Sequence, residues 1–108
     1  MARPETRVEN NFAKWCRESG LFCLKLSALA VAGFPDRTVI LPGGRLACVE
    51  FKSDKGKTSP VQDQRIAALR RLDVPVLVTS DANEAKEFIK GLIDANNSSG
   101  KQKRRVDQ

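Results

Sequence analysis

The sequence predicts a single α/β domain with the element order αβββαβα. Three observations carry that reading. Apolar residues recur at helical spacing in three stretches, four β-prone runs stand between or beside them, and turn formers punctuate the joins. With 108 residues and 11.9 kDa, the chain is the size of one domain with a modest core.

Each element has a local reason. Pro4 and Glu5 open a helix expected to run to about residue 19, with Val8, Phe12, Trp15 and Cys16 on one face, and Gly20 ends it. Residues 21–27 alternate as a strand, and 28–33, apolar but leading into a Gly-Phe-Pro turn, are expected to form a loop. Residues 37–41 and 46–52 are β-prone runs joined by Pro42-Gly-Gly-Arg45, a strong hairpin signal. After the charged loop 53–57, Ser59 and Pro60 are placed to act as N-cap and first residue of a second helix, carrying Ile66, Leu69 and Leu72 inward. Residues 75–79 read as a fourth strand. Asp81 or Ala82 then begins the last helix, burying Ala85, Phe88, Ile89, Leu92 and Ile93. From Asn96 the apolar period is lost, so the boundaries expected are a folded domain over 1–95 and a disordered basic C-terminal tail over 96–108.

Composition narrows the chemistry. Nineteen Lys and Arg against thirteen Asp and Glu give a net charge of +6 and a pI near 9.6, which favours a polyanionic partner. Half of that excess sits in the tail, where Lys101, Lys103, Arg104 and Arg105 less Asp107 give +3, so a nucleic-acid surface on the folded part must come from local clustering. The chain has no histidine, which excludes HNH nucleases, histidine-ligated zinc hydrolases, Ser-His triads and RNase A-type acid/base pairs. Cys16, Cys23 and Cys48 lack CxxC spacing and read as buried free thiols, pointing to a reducing cytoplasm. No window approaches a membrane span, and no apolar leader region follows Met1.

A carboxylate mechanism survives these exclusions. Glu50 and Lys52, two apart on a strand, project to the same face about 7 Å apart, while Phe51 turns to the opposite, apolar side. Asp36 enters from the neighbouring strand of the hairpin. Two carboxylates and an amine in this arrangement suit a divalent metal and a phosphodiester. Mg²⁺ or Mn²⁺ would neutralise phosphate charge and activate water, with Asp36, Glu50 and the backbone carbonyl of Phe51 as ligands. Lys52 would orient the attacking water or stabilise the charge of the pentavalent transition state. Taken alone, Asp36 could be a turn former and Glu50 a structural ion-pair partner of Lys52. An unpaired carboxylate between Val49 and Phe51 would be costly, however.

The ordered series Gly33-Phe-Pro-Asp-Arg37, Leu41-Pro-Gly-Gly-Arg45, Val49-Glu-Phe-Lys52, Gly56-Lys-Thr-Ser-Pro-Val-Gln62 and Val76-Leu-Val-Thr-Ser80 resembles the VRR-NUC family of the PD-(D/E)XK nuclease superfamily over about residues 9–88. The resemblance implies a restriction-endonuclease-like αβββαβα core with a central mixed sheet. It implies a structure-selective endodeoxyribonuclease of phage or bacterial type, working in Holliday-junction resolution or related replication, repair or recombination. A nicking or flap endonuclease, or a noncatalytic DNA-binding module of the same fold, are the alternatives. Glu9 is implied as a further catalytic and metal-ligating acid on the first helix, although Glu5, one turn earlier, could fill that place. Gln62 matches the family's Ser-x-x-Gln position and would order water or phosphate. Lys25, Arg37, Lys55 and Lys57 are expected DNA contacts, or else solvated charges. Asp73 departs from the family, which often has glycine there. A twofold junction implies a C2 homodimer, with the apolar segment 28–34 at its interface.

Overall fold

The computed structural model describes residues 4–26, 31–53 and 56–103. Lys55, Ser27 and residues 28–30 of the apolar segment lie outside the described residues, as do 104–108. The order is α1 (Pro4–Glu18), β1 (Phe22–Leu24), β2 (Arg37–Ile40), β3 (Leu46–Phe51), α2 (Pro60–Arg71), β4 (Val76–Thr79) and α3 (Ala82–Lys103). This is the αβββαβα order expected. The strands form one sheet in the order β1-β2-β3-β4, antiparallel across β1, β2 and β3 and parallel between β3 and β4, so the sheet is mixed. A hairpin suffices for the antiparallel joins, whereas the parallel join needs α2 as a crossover. Among the described residues, no helix is long and apolar enough to cross a membrane.

The central strand β3 is buried on both faces beyond its first residue, and its alternation divides the molecule. Ala47, Val49 and Phe51 join Phe12 and Cys16 of α1, Val39 of β2, and Ala85 and Ile89 of α3 in the main core. Phe51 meets Phe12 at a ring-centroid distance of 5.6 Å and a tilt of 55°, a favourable offset geometry. On the opposite face Cys48 packs with Ile66 of α2 and Val76 of β4, flanked by Phe34, Leu69 and Val74.

Both α1 and α2 end in the same backbone device. Leu21 N donates to Cys16 O and Gly20 N to Arg17 O, with Gly20 at φ 78°; Val74 N donates to Leu69 O and Asp73 N to Arg70 O, with Asp73 at φ 64°. These are Schellman caps. Asp73 thus occupies a left-handed position that glycine takes without steric cost, which accounts for its place in the sequence.

Three elements differ from the sequence expectation. The first strand pairs only over Phe22–Leu24, because its ladder with β2 stops at Leu24 opposite Thr38. Leu72 is 75% exposed rather than inward: α2 ends at Arg71, and Leu72 is its C-cap, where the chain has already left the buried face. Finally, α3 does not stop at residue 95 but continues to Lys103, through part of the segment read as a disordered tail. Propagating an existing helix fixes one residue per hydrogen bond gained, and nothing between Asn96 and Lys103 is a proline.

Candidate active site

Asp36, just ahead of β2, and Glu50, near the end of β3, are locked to each other through backbone. Phe51 N donates to Asp36 Oδ2 at 2.8 Å, and Asp36 N donates to Glu50 Oε1 at 3.1 Å. Each carboxylate is therefore held by an amide next to, or belonging to, the residue that carries the other. Lys52 folds back along the same face, as the two-residue strand period requires, and its Nζ lies 3.0 Å from Glu50 Oε2. That oxygen also accepts from Gln62 Nε2 at 2.8 Å. Four of the residues singled out in the sequence, Asp36, Glu50, Lys52 and Gln62, thus converge, and the Phe51 backbone runs between the two acids.

Gln62 has a second task. Ser59 accepts from Gln62 N while Gln62 Oε1 accepts from Ser59 N at 2.9 Å, a complete capping box. One side chain closes the first turn of α2 with its oxygen and fixes Glu50 with its nitrogen.

The two carboxylates are crowded. Burial pushes the Glu50 carboxyl above the usual range, the Asp36 charge adds to this, and the Lys52 ammonium opposes it. Burial likewise raises Asp36, countered by its bond from Phe51 N and reinforced by the charge of Glu9. Glu50 is only 3% exposed.

Glu9 sits elsewhere in the electrostatic scheme. Its Oε2 pairs with Arg37 Nε at 2.7 Å and Lys25 Nζ at 3.0 Å, forming a bridge between α1, the start of β2 and the chain just after β1. Among the described residues, no group of three or more His, Cys, Asp and Glu is arranged to hold a metal ion. Asp36 and Glu50 stand as a pair, and Glu9, held by its two cations, is close enough for its charge to act on Asp36. Lys25 and Arg37, read as DNA contacts or solvated charges, are partners of Glu9; Arg37 is largely buried there and Lys25 half-exposed. Lys57 is exposed at the rim of the cleft that Asp36, Lys52 and Gln62 line.

Two further contacts join segments that lie apart in the chain. The thiols of Cys16 on α1 and Cys23 on β1 are neighbours; their interaction and the nearby Arg37 guanidinium hold the Cys23 thiol below its ordinary range, while the Cys16 thiol is pushed up. All three cysteines are free, with Cys16 and Cys48 buried and Cys23 only half-buried. Secondly, the chain bearing Asp36 is fastened to α2: Arg65 Nε donates to Ala32 O at 3.1 Å, and Gly33, at φ 75°, approaches so closely that an added Cβ would lie 2.7 Å from Val61 Cγ1. Gly33 in a Gly-Phe-Pro turn was the available signal, but nothing local identifies Val61 as its neighbour.

Among solved structures, a chain described as "VRR_NUC domain" superposes with a TM-score of 0.71 at 29% sequence identity, covering 82% of this chain and 97% of its own length. The chain has the fold of a VRR-NUC domain. No family model and no curated protein matches it by sequence. The VRR-NUC likeness spans nearly the whole of the other chain, so it concerns the complete fold rather than a shared hairpin. It supports a nuclease-type function.

Proposed function

We propose that this domain is a Mg²⁺- or Mn²⁺-dependent endodeoxyribonuclease selective for DNA structure, acting in junction resolution or related replication, repair or recombination. The observation that carries the reading is that Asp36, Lys52 and Gln62 line one cleft while the buried Glu50 behind them holds Lys52 and Gln62, with both carboxylates aligned by backbone amides. Hard oxygen donors suit these cations, and a buried, crowded carboxylate pair is stabilised by a divalent charge. Asp36, Glu50 and the Phe51 carbonyl would hold the ion; Glu9, already engaged by two cations, is the weaker ligand and acts chiefly by positioning Arg37 and Lys25. When bound, the ion supplies charge neutralisation at the phosphate and a more acidic water.

The protein's own groups do the remainder. Lys52, held beside the cleft by Glu50, directs its ammonium toward the anionic phosphate, orienting the nucleophilic water or offsetting the charge that grows on the phosphoryl oxygens. Gln62 keeps Glu50 in one rotamer, and Lys57 at the rim contacts the DNA backbone.

Labelled four-way junction, flap, single-stranded and linear duplex DNA, each incubated with Mg²⁺, Mn²⁺, Ca²⁺ or EDTA, tests the reading. Cleavage with Mg²⁺ and Mn²⁺, binding without cutting in Ca²⁺, and no activity in EDTA are expected. Full activity in EDTA would refute the metal mechanism. Binding to DNA without cleavage under any condition would favour a noncatalytic module.

A homodimer belongs to the same proposal, because a four-way junction offers two strands related by a twofold axis. Of the apolar segment expected at its interface, Val31, Gly33 and Phe34 also line the cleft, so the dimer is argued chiefly from substrate symmetry. A monomer by light scattering at micromolar concentration, with paired junction incision intact, removes it.

A further inference from the structure

The cleft containing Asp36, Lys52 and Gln62 has a volume of about 820 Å³ and continues onto an apolar wall of Val31, Phe34 and Val61. This volume is in the range of small-molecule sites, which combine an apolar lining with a few placed polar groups. Val31 and Val61 are 41% and 46% exposed, so their apolar surface is open to a ligand. Phe34 is half-buried, its body anchored against the Cys48, Ile66 and Val76 cluster, which fixes the wall in place. The Gly33 approach to Val61 and the Arg65 bond to Ala32 hold the two sides of the wall together.

A phosphate-handling centre that opens directly onto a fixed apolar, partly aromatic wall has the polarity of one nucleotide, anionic at one end and flat and apolar at the other. In an intact duplex the base faces are stacked on their neighbours and cannot reach such a wall. An unpaired base can, and stacking on a protein aromatic is then indifferent to its identity. We propose that the Val31, Phe34 and Val61 wall receives an unstacked nucleobase beside the scissile phosphate, so that the preferred DNA offers at the cut a nucleotide free to leave its stack, at the branch point of a junction or in an unpaired flap. This inference rests on the nuclease reading above and names what its structure selectivity recognises.

The test separates the two. Binding of a fluorescent flap oligonucleotide is measured by anisotropy in Ca²⁺, while one nucleotide after another near the branch is replaced by an abasic sugar. Loss of the base at one position should weaken wild-type binding roughly tenfold, the size of one base–aromatic stack, and losses elsewhere should have little effect. In Phe34→Leu, which keeps the anchoring volume without the ring, and in Val61→Ser, on the open side of the wall, that dip should shrink to about twofold. Val61→Ser serves if Phe34→Leu fails to fold. A flat abasic profile in a protein that cuts DNA with Mg²⁺ overturns this inference alone. The expected dip in a protein that never cuts overturns the nuclease reading alone. A dip that both variants leave unchanged places the base elsewhere and also overturns the inference.

Discussion

The two faces of β3 use the same strand for opposite ends. Toward α1 and α3, Ala47, Val49 and Phe51 are buried among apolar neighbours and hold the domain together. Toward α2, Cys48 belongs to a smaller cluster, and the next residues on that face, Glu50 and then Lys52, give up apolar burial for a charged centre. The fold can accommodate a buried carboxylate at position 50 because the other face supplies most of the packing. Stability and chemistry here are separated by the strand's two-residue period rather than by domain or distance.

The separation is open to attack by substitution. Glu50→Gln or Asp36→Asn should reduce DNA cleavage by at least roughly a hundredfold while the melting temperature holds or rises, because a crowded charge is removed and an acceptor for the backbone amide remains. A Glu50→Gln protein cutting at wild-type rate would break the comparison from the chemical side. The mirror experiment is Ile89→Ala on the packing face, expected to cost about 2–5 kcal/mol in denaturant unfolding with cleavage per folded molecule retained. Loss of activity in the fully folded fraction would mean that the faces are not independent.

Two smaller effects sharpen the picture. Gln62→Glu keeps a side-chain oxygen for the capping box but loses the donor to Glu50 and adds a like charge beside it. Cleavage should fall about tenfold, and stability should fall by more than in Ser59→Ala, which removes only the exposed cap at a cost of about 1 kcal/mol. Thermal melts and initial rates on both variants decide this. Smallest of all, Asp73→Gly should stabilise the protein by about 0.5–1 kcal/mol without altering cleavage, because glycine meets the left-handed cap without strain. Unfolding midpoints are sufficient to check it.

The legible parts of this molecule are those governed by local rules. Phe12 and Cys16, or Ala85 and Ile89, announce a buried helix face by spacing alone, and Ser59, Pro60 and Gln62 spell out a helix start. The Glu50 and Lys52 pair follows from strand geometry, and Asp36 from the hairpin that returns β2 alongside β3. What the sequence could not convey depends on contacts between distant segments. The ion pairs that Glu9 makes with Arg37 and Lys25 join three separate segments, and no spacing in the sequence announces them. Leu72 carries an inward residue's chemistry, yet the helix ends one residue too early to bury it.

The double engagement of Gln62 has a dynamic consequence. Helix ends are ordinarily where a structure opens first, and the first turn of a helix can fray without disturbing the rest. Here the bond that closes that turn and the bond that steadies Glu50 leave from the two atoms of a single amide. Fraying of α2 and loosening of the carboxylate pair are therefore one opening event, and the amide hydrogens of that turn report, through their exchange with solvent, on how often the site is out of register.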